Sequence, residues 1–172
     1  NKVEQVTKIL VKQGYLALRY HAGLTPEERQ SNQDYFVKGQ VQIIVATNAF
    51  GMGIDKADVR FVVHYNMPKD IESYYQEAGR AGRDGKQAEC LLLYDKSDIA
   101  INTYLIGHDQ PDLEWKDKEL KLLDKMIVYC NTSGCLRKYL LEYFGERVAS
   151  SCNNCGNCSQ TKNATWRRFL KL

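Results

Sequence analysis

The chain has 172 residues, with 24 Lys and Arg against 21 Asp and Glu for a formal net charge of +3; 44% of the residues are hydrophobic and 26% are charged. These proportions are those of a globular protein and exclude a disordered tail, a collagen-like chain and a simple coiled coil, and the length allows one domain or two small ones. No apolar run exceeds five residues (Cys90 to Tyr94, Met126 to Cys130), far short of the roughly 18 that a membrane span needs, and the charge is too small to diagnose nucleic-acid binding by itself.

Val3, Val6, Ile9 and Leu10 recur at helical spacing and predict a helix over 2–13, stopped at Gly14. Tyr15 to Tyr20 reads as a strand. Thr25-Pro26-Glu27-Glu28 places an N-cap, a proline at the first helical position and a carboxylate three residues after the cap, which marks a helix running to Lys38 before Gly39. Val41 to Ala46, Val59 to His64 and Ala88 to Tyr94 are strand-like runs bounded by turn residues, and Asp70 to Ala78 reads as a helix between the last two. Strands alternating with helices predict an α/β fold with a parallel sheet. Ligands in such sheets gather at the carboxyl ends of the strands, so Thr47 to Lys56 and the loop after His64 belong to the functional rim. Beyond residue 96 the pattern turns helical (97–106, 113–130, 135–144), which predicts a small second subdomain with few residues for a core of its own. The segment 161–172 is polar and basic and reads as a linker or an unsupported end.

Asn1-Lys2-Val3-Glu4 has none of the apolar stretch of a signal peptide. Six cysteines in such a chain point to metal ligation or buried thiols in a reducing compartment rather than to a disulfide framework. The expected location is cytoplasmic, or nuclear in a eukaryote, and neither secreted nor in a membrane. Cys152, Cys155 and Cys158 form C-x2-C-x2-C and Cys135 precedes them with sixteen residues between, four thiolates able to close a tetrahedral Zn2+ site. Asn153, Asn154, Gly156 and Asn157 between them tolerate tight turns and left-handed backbone. A helix starting at Cys135 would favour its thiolate. Four free or oxidised thiols and an iron–sulfur cluster are the alternatives. Cys90 and Cys130 read as buried small hydrophobes.

Gly79-Arg80-Ala81-Gly82-Arg83-Asp84-Gly85 sets two guanidinium groups three residues apart, on one side if the turn is helical, as suits a pair clamping a phosphoryl group. The same residues also make an ordinary solvated loop. The strand ending at Ala46 runs into Thr47 and the glycine loop Gly51-Met52-Gly53-Ile54-Asp55, where backbone and hydroxyl could meet a phosphate. A dinucleotide fingerprint fails because Lys56 takes the third glycine's place. A nucleotide P-loop fails because Gly85-Lys86 is followed by Gln87. Hydrolysis of a nucleoside triphosphate by these residues alone is therefore excluded.

Three stretches resemble helicase motifs IV, V and VI of superfamily 2: Tyr20-His21-Ala22-Gly23-Leu24, Ala46-Thr47 through Phe50 to Asp55, and Tyr75-Gln76-Glu77-Ala78 through Gly85. Together with the four-cysteine set, they resemble the RecQ family of DNA helicases over about residues 15 to 158. The resemblance implies a RecA-like second helicase lobe at 1–96, a helical four-cysteine zinc-binding subdomain at 97–160 and a linker at 161–172. It implies an ATP-driven motor moving 3′ to 5′ on single-stranded DNA and separating duplex, with ATP and Mg2+ held between this lobe and a first lobe, and with structural Zn2+. Arg83 matches the arginine finger and Arg80 its assistant. Gln76, Gly53 and Asp55 fall to the nucleotide side, while Thr47, His21 and Gly23 fall to the DNA backbone. Cys135, Cys152, Cys155 and Cys158 match the zinc ligands.

The family also has a strand before the first helix, an N-terminal RecA-like lobe and a winged helix, so the resemblance implies a fragment that is not catalytic alone. Each assignment has a plainer competitor: His21 capping a strand end, Asp55 pairing with a lysine, Thr47 staying in its own turn. Tyr74 and Tyr75, at helical spacing beside Ile71, read as core rather than as base-stacking platforms. For the whole, the alternative is a non-catalytic zinc-containing module that binds nucleic acid or a protein.

Overall fold

Asn1 caps the first helix by accepting the Val3 N–H at 3.0 Å, and α1 (Lys2–Lys12) follows with Val3 buried. In the computed structural model, which describes residues 1–50, 56–109 and 112–159 and the backbone strand 168–171, the chain divides into two compact units, Asn1–Lys56 and Ala57–Leu172. The first unit carries α1, β1 (Ala17–Tyr20), α2 (Pro26–Val37) and β2 (Ile43–Ala46). β1 and β2 pair in parallel, Ala17 opposite Ile43, and both helices pack on this ribbon. β1 is shorter than the sequence suggests. Tyr15 and Leu16 stay exposed, although Leu16 C=O still accepts the N–H groups of Gln42 and Ile43. The start of α2 is the expected capping box: Thr25 Oγ1 accepts Glu28 N–H at 3.2 Å and Glu28 Oε2 accepts Thr25 N–H at 3.0 Å. Two orphan donors of the helix end are thereby satisfied.

The second unit carries β3 (Phe61–His64), α3 (Ile71–Ala78), β4 (Glu89–Leu92), α4 (Lys96–Asp109), α5 (Leu113–Asn131), α6 (Leu136–Tyr143) and β5 (Arg168–Lys171). β3 and β4 are parallel, as the strand–helix–strand order requires. β4 also pairs antiparallel with β5, a strand where the polar composition suggests only a linker. The second edge of β4 offers a row of backbone donors and acceptors, and any segment that reaches it can pair regardless of its polarity. Residues 160–167 lie outside the described residues.

The helices after residue 96 do not rely on a core of their own. Leu123, Met126, Tyr129 and Cys130 of α5 and Leu136 and Leu140 of α6 share one buried cluster with Ile71, Tyr74 and Ala78 of α3 and Cys90 and Leu92 of β4. Side chains of this size each contribute about 1.5–3 kcal/mol when buried, so the cluster is the main source of cohesion in the unit. Cys90 and Cys130 are buried within it, as expected. Tyr74 and Tyr75 part company: Tyr74 is buried against Tyr129, whereas Tyr75 is half-exposed with its ring 4.8 Å from that of Phe144.

Polar contacts bind the loop after β3 and helix α3 to the later helices. Asp98, almost fully buried near the start of α4, accepts from Asn66 Nδ2 at 2.8 Å and from Met67 N–H at 2.9 Å. Asn102 Nδ2 donates to Met67 C=O at 3.0 Å, Lys69 pairs with Glu119, and Tyr143 O–H donates to Glu72 Oε1 at 2.6 Å. Among the described residues, no helix is long and apolar enough to cross a membrane.

Candidate metal centre and arginine loop

Four sulfurs, those of Cys135, Cys152, Cys155 and Cys158, lie within 4.8 Å of one another. Cys135 is the N-cap of α6, and its Sγ accepts the Lys138 N–H at 3.4 Å and the Cys152 N–H at 3.3 Å. Cys155 Sγ accepts the Leu136 N–H at 3.3 Å. Asn153 takes the left-handed conformation (φ 53°) that the intervening residues were expected to supply. Asn157 Nδ2 donates to the carbonyls of Thr132 and Gly134, fastening the cysteine loop to the α5–α6 connection.

Burial pushes the Cys135 thiol up, but the N–H groups of Lys138 and Cys152, together with the Cys152 and Cys158 thiols, outweigh it and bring it down to about 6. The same balance, with Leu136 N–H as chief donor, lowers Cys155. Backbone donors favour thiolate at these two sulfurs, while burial and the neighbouring thiols push Cys152 and Cys158 up. A tetrahedral ion with four bonds of about 2.3 Å to sulfur holds its ligands about 3.8 Å apart, and Cys135 Sγ and Cys155 Sγ stand 3.9 Å apart. The donor set and spacing therefore fit a tetrahedral thiophilic ion.

The arginine loop leaves α3 at its C-cap, Gly79. Short turns close Arg80 N–H on Glu77 C=O and Ala81 N–H on Ala78 C=O, and then Gly82 turns to φ 69°. The helical turn that would have put both guanidinium groups on one side is not formed. A Cβ on Gly82 would stand 3.0 Å from Lys86 C=O and 3.1 Å from Ala88 Cβ, so only glycine fits there without displacement. Arg83 is exposed and its Nε donates to Gly79 C=O at 3.3 Å. Arg80 is half-buried, and its Nε is buried without a hydrogen-bond partner among the described residues. Gln76 is exposed on α3. All three belong to the unit that carries the cysteines.

The remaining candidates fall in the first unit. His21 is buried at the end of β1 with both ring nitrogens engaged: Nδ1 accepts the Gly23 N–H at 3.2 Å and Nε2 lies 3.0 Å from Glu4 Oε1. A Cβ on Gly23 would come within 3.1 Å of that imidazole, so the two residues form one tight turn. Thr47 is exposed just past β2; its N–H goes to Tyr20 C=O and its C=O accepts Phe50 N–H. Gly53 and Asp55 lie outside the described residues.

Sequence reasoning missed two groups in the second unit. Arg60 reaches Asp84, Asp58 and Gln87 from the approach to β3. His64, buried at the end of β3, bonds Glu77 of α3 at 2.8 Å. Neither pair has a spacing that shows in one dimension; they meet only where α3 and the loop after it fold back along β3.

Residues 1–85 match the model of the helicase conserved C-terminal domain, and residues 96–159 match that of the RecQ zinc-binding region. The ATP-dependent DNA helicase RecQ of Bacillus subtilis is 46% identical over 164 residues, 95% of this chain and 27% of that protein. The ATP-dependent DNA helicase hus2/rqh1 of Schizosaccharomyces pombe is 48% identical over 145 residues, 83% of this chain and 11% of that protein. The chain thus spans 27% and 11% of the length of these two relatives. A solved DEAD box protein from the hyperthermophile Methanococcus jannaschii is similar with a TM-score of 0.51 at 26% identity, over 60% of this chain and 29% of that one.

Proposed function

The chain belongs to the RecQ family of helicases, with the α/β fold of a RecA-like helicase lobe, and on that premise we propose that it is the second motor lobe and zinc module of a longer ATP-dependent DNA helicase. Residues 1–96 form the lobe in this reading and 97–160 the zinc module, after which the chain returns as β5 to pair with β4. The observation that carries the reading is the presence, in one unit, of the arginine loop after α3 and a convergent four-sulfur cluster.

Arg83 is the finger. ATP and Mg2+ are held by a first lobe, and the exposed guanidinium of Arg83 reaches the γ-phosphoryl group, where its charge and planar donors stabilise the negative charge that develops during transfer. Arg80 assists from the same loop, while Gln76, Gly53 and Asp55 complete the nucleotide side. The duplex is opened in the 3′ to 5′ direction along a tracked single strand. Thr47 meets that strand's backbone through its hydroxyl, since its N–H is already given to Tyr20. His21 and Gly23 shape the neighbouring turn, their N–H and imidazole being spent on each other. DNA affinity should fall steeply as salt rises.

Cys135, Cys152, Cys155 and Cys158 hold Zn2+ in this reading. The ion crosslinks the start of α6 to the 152–158 loop and contributes folding free energy rather than chemistry.

The test uses the full-length protein that carries this segment. Arg83→Ala is expected to lower DNA-stimulated ATP turnover by about a thousandfold, with nucleotide affinity changed by no more than about threefold. Turnover retained by that variant refutes the finger assignment.

A further inference from the structure

The arginine loop has no regular secondary structure of its own, yet an arginine finger contributes only if its guanidinium waits in the right place. What orders the loop is a set of bonds to the residues just before β3. Gly82 N–H donates to Val59 C=O at 2.9 Å and Asp84 N–H donates to Ala57 C=O at 3.1 Å. Across the same seam the Arg60 guanidinium uses all three nitrogens: Nε to Asp58 C=O at 3.0 Å, one terminal nitrogen to Gln87 C=O at 3.2 Å, and the other to Asp84 Oδ1 at 2.6 Å. Asp84 Oδ1 also accepts the Lys86 N–H at 3.1 Å, which closes the loop on itself.

We propose that Arg60 and Asp84 are a positioning pair for the finger: Arg60 clamps both ends of the segment 84–87 against the 57–60 approach, and so fixes the backbone from which Arg83 projects. The pair's role requires no contact of its own with nucleotide or DNA. It acts through the backbone, because Arg83 is the immediate neighbour of Asp84 and its Nε is already turned back on Gly79 C=O. A lysine at 60 provides the charge for Asp84 but lacks the planar fork needed to reach three acceptors at once. The inference rests on the reading of Arg83 as the finger, and the experiment separates the two.

Arg60→Gln, Arg60→Lys and Asp84→Asn are made in the full-length helicase, beside Arg83→Ala, and read in two ways. The first is steady-state ATP hydrolysis with saturating single-stranded DNA. The second is amide hydrogen exchange at Gly82 and Asp84 in the folded protein. Arg60→Gln is expected to lower kcat about ten- to a hundredfold with KM for ATP within about twofold, and to speed exchange at both amides at least about tenfold. Arg60→Lys should fall between that variant and the parent in both. A purely structural role would shift thermal stability while leaving kcat near the parental value at temperatures where the variant is folded. Unchanged amide exchange in Arg60→Gln overturns the proposal whatever the turnover. So does faster exchange with parental kcat, provided Arg83→Ala is inactive. If Arg83→Ala keeps its turnover, the finger reading fails, and the positioning role falls with it.

Discussion

Asp98 gives the most direct test of what orders the loop after β3. Its carboxylate is almost entirely buried and accepts from Asn66 Nδ2 and from Met67 N–H. Met67 is itself only 3% exposed, so its N–H has little access to water once the acceptor is gone. A hydrogen bond to a charged acceptor contributes about 1.5–3 kcal/mol, and a buried donor left unpaired costs about 1–3 kcal/mol. Truncation also relieves the desolvation of the carboxylate, which offsets part of that sum. Asp98→Ala is therefore expected to destabilise the second unit by about 3 kcal/mol. Asp98→Asn keeps an oxygen for Met67 N–H, and Asn66 can rotate its amide to present oxygen to the new NH2 group, so it should cost about 1 kcal/mol. The assay is urea unfolding followed by the near-ultraviolet circular dichroism of Tyr74 and Tyr129, buried in the same unit, with m-values compared to check that the transition is unaltered. A loss below about 1 kcal/mol in Asp98→Ala, or equal losses in the two variants, would refute the reasoning.

Three further outcomes are expected. Intact-protein mass spectrometry with metal analysis should find one Zn2+ per chain, and Cys152→Ser should lose it and lower the melting temperature of the second unit; a metal-free variant melting with the parent would count against a structural ion. Gly82→Ala should destabilise by about 2–3 kcal/mol, adding a clash with Lys86 C=O to the left-handed strain, whereas Gly85→Ala, at φ 76° with nothing within 4 Å, should cost about 1 kcal/mol; equal losses in chemical denaturation would remove the clash from the account. The hydrogen bond from Arg60 holds the Asp84 carboxyl below the usual carboxylate range. The carboxylate form binds the loop, so order at Gly82 and Asp84 should be complete above about pH 4 and be lost as pH falls through the lowered value. Arg60→Gln should move that carboxyl titration, followed by NMR, back toward the ordinary range.

Features written in short stretches of chain are legible in the sequence itself. Thr25, Pro26 and Glu28 declare the start of α2 because a capping box is closed within four residues. The four cysteines declare their cluster because thiol chemistry leaves few other uses for that spacing. Polar residues that act on distant partners were not legible. Asp98 reads as one more acidic residue early in a helix, and its role appears only when the loop after β3 folds back on α4. Arg60 and Asp84 are brought together by the parallel pairing of β3 and β4, which fixes register across a whole crossover. The spread of the core failed for a related reason. Periodicity marks which face of α5 and α6 is buried, but not that β4 and α3 lie beneath it.

The solvent face of β3 bears on how the isolated chain behaves in the test tube. Phe61 and Val63 alternate along the strand, Tyr65 continues the row just beyond it, and each is about half-exposed. Parallel strands are ordinarily covered on both sides, and a half-exposed row of large side chains invites sticking between molecules. The 172-residue chain should therefore be colloidally fragile, gaining light scattering with concentration and taking up apolar dyes while its fold is still intact.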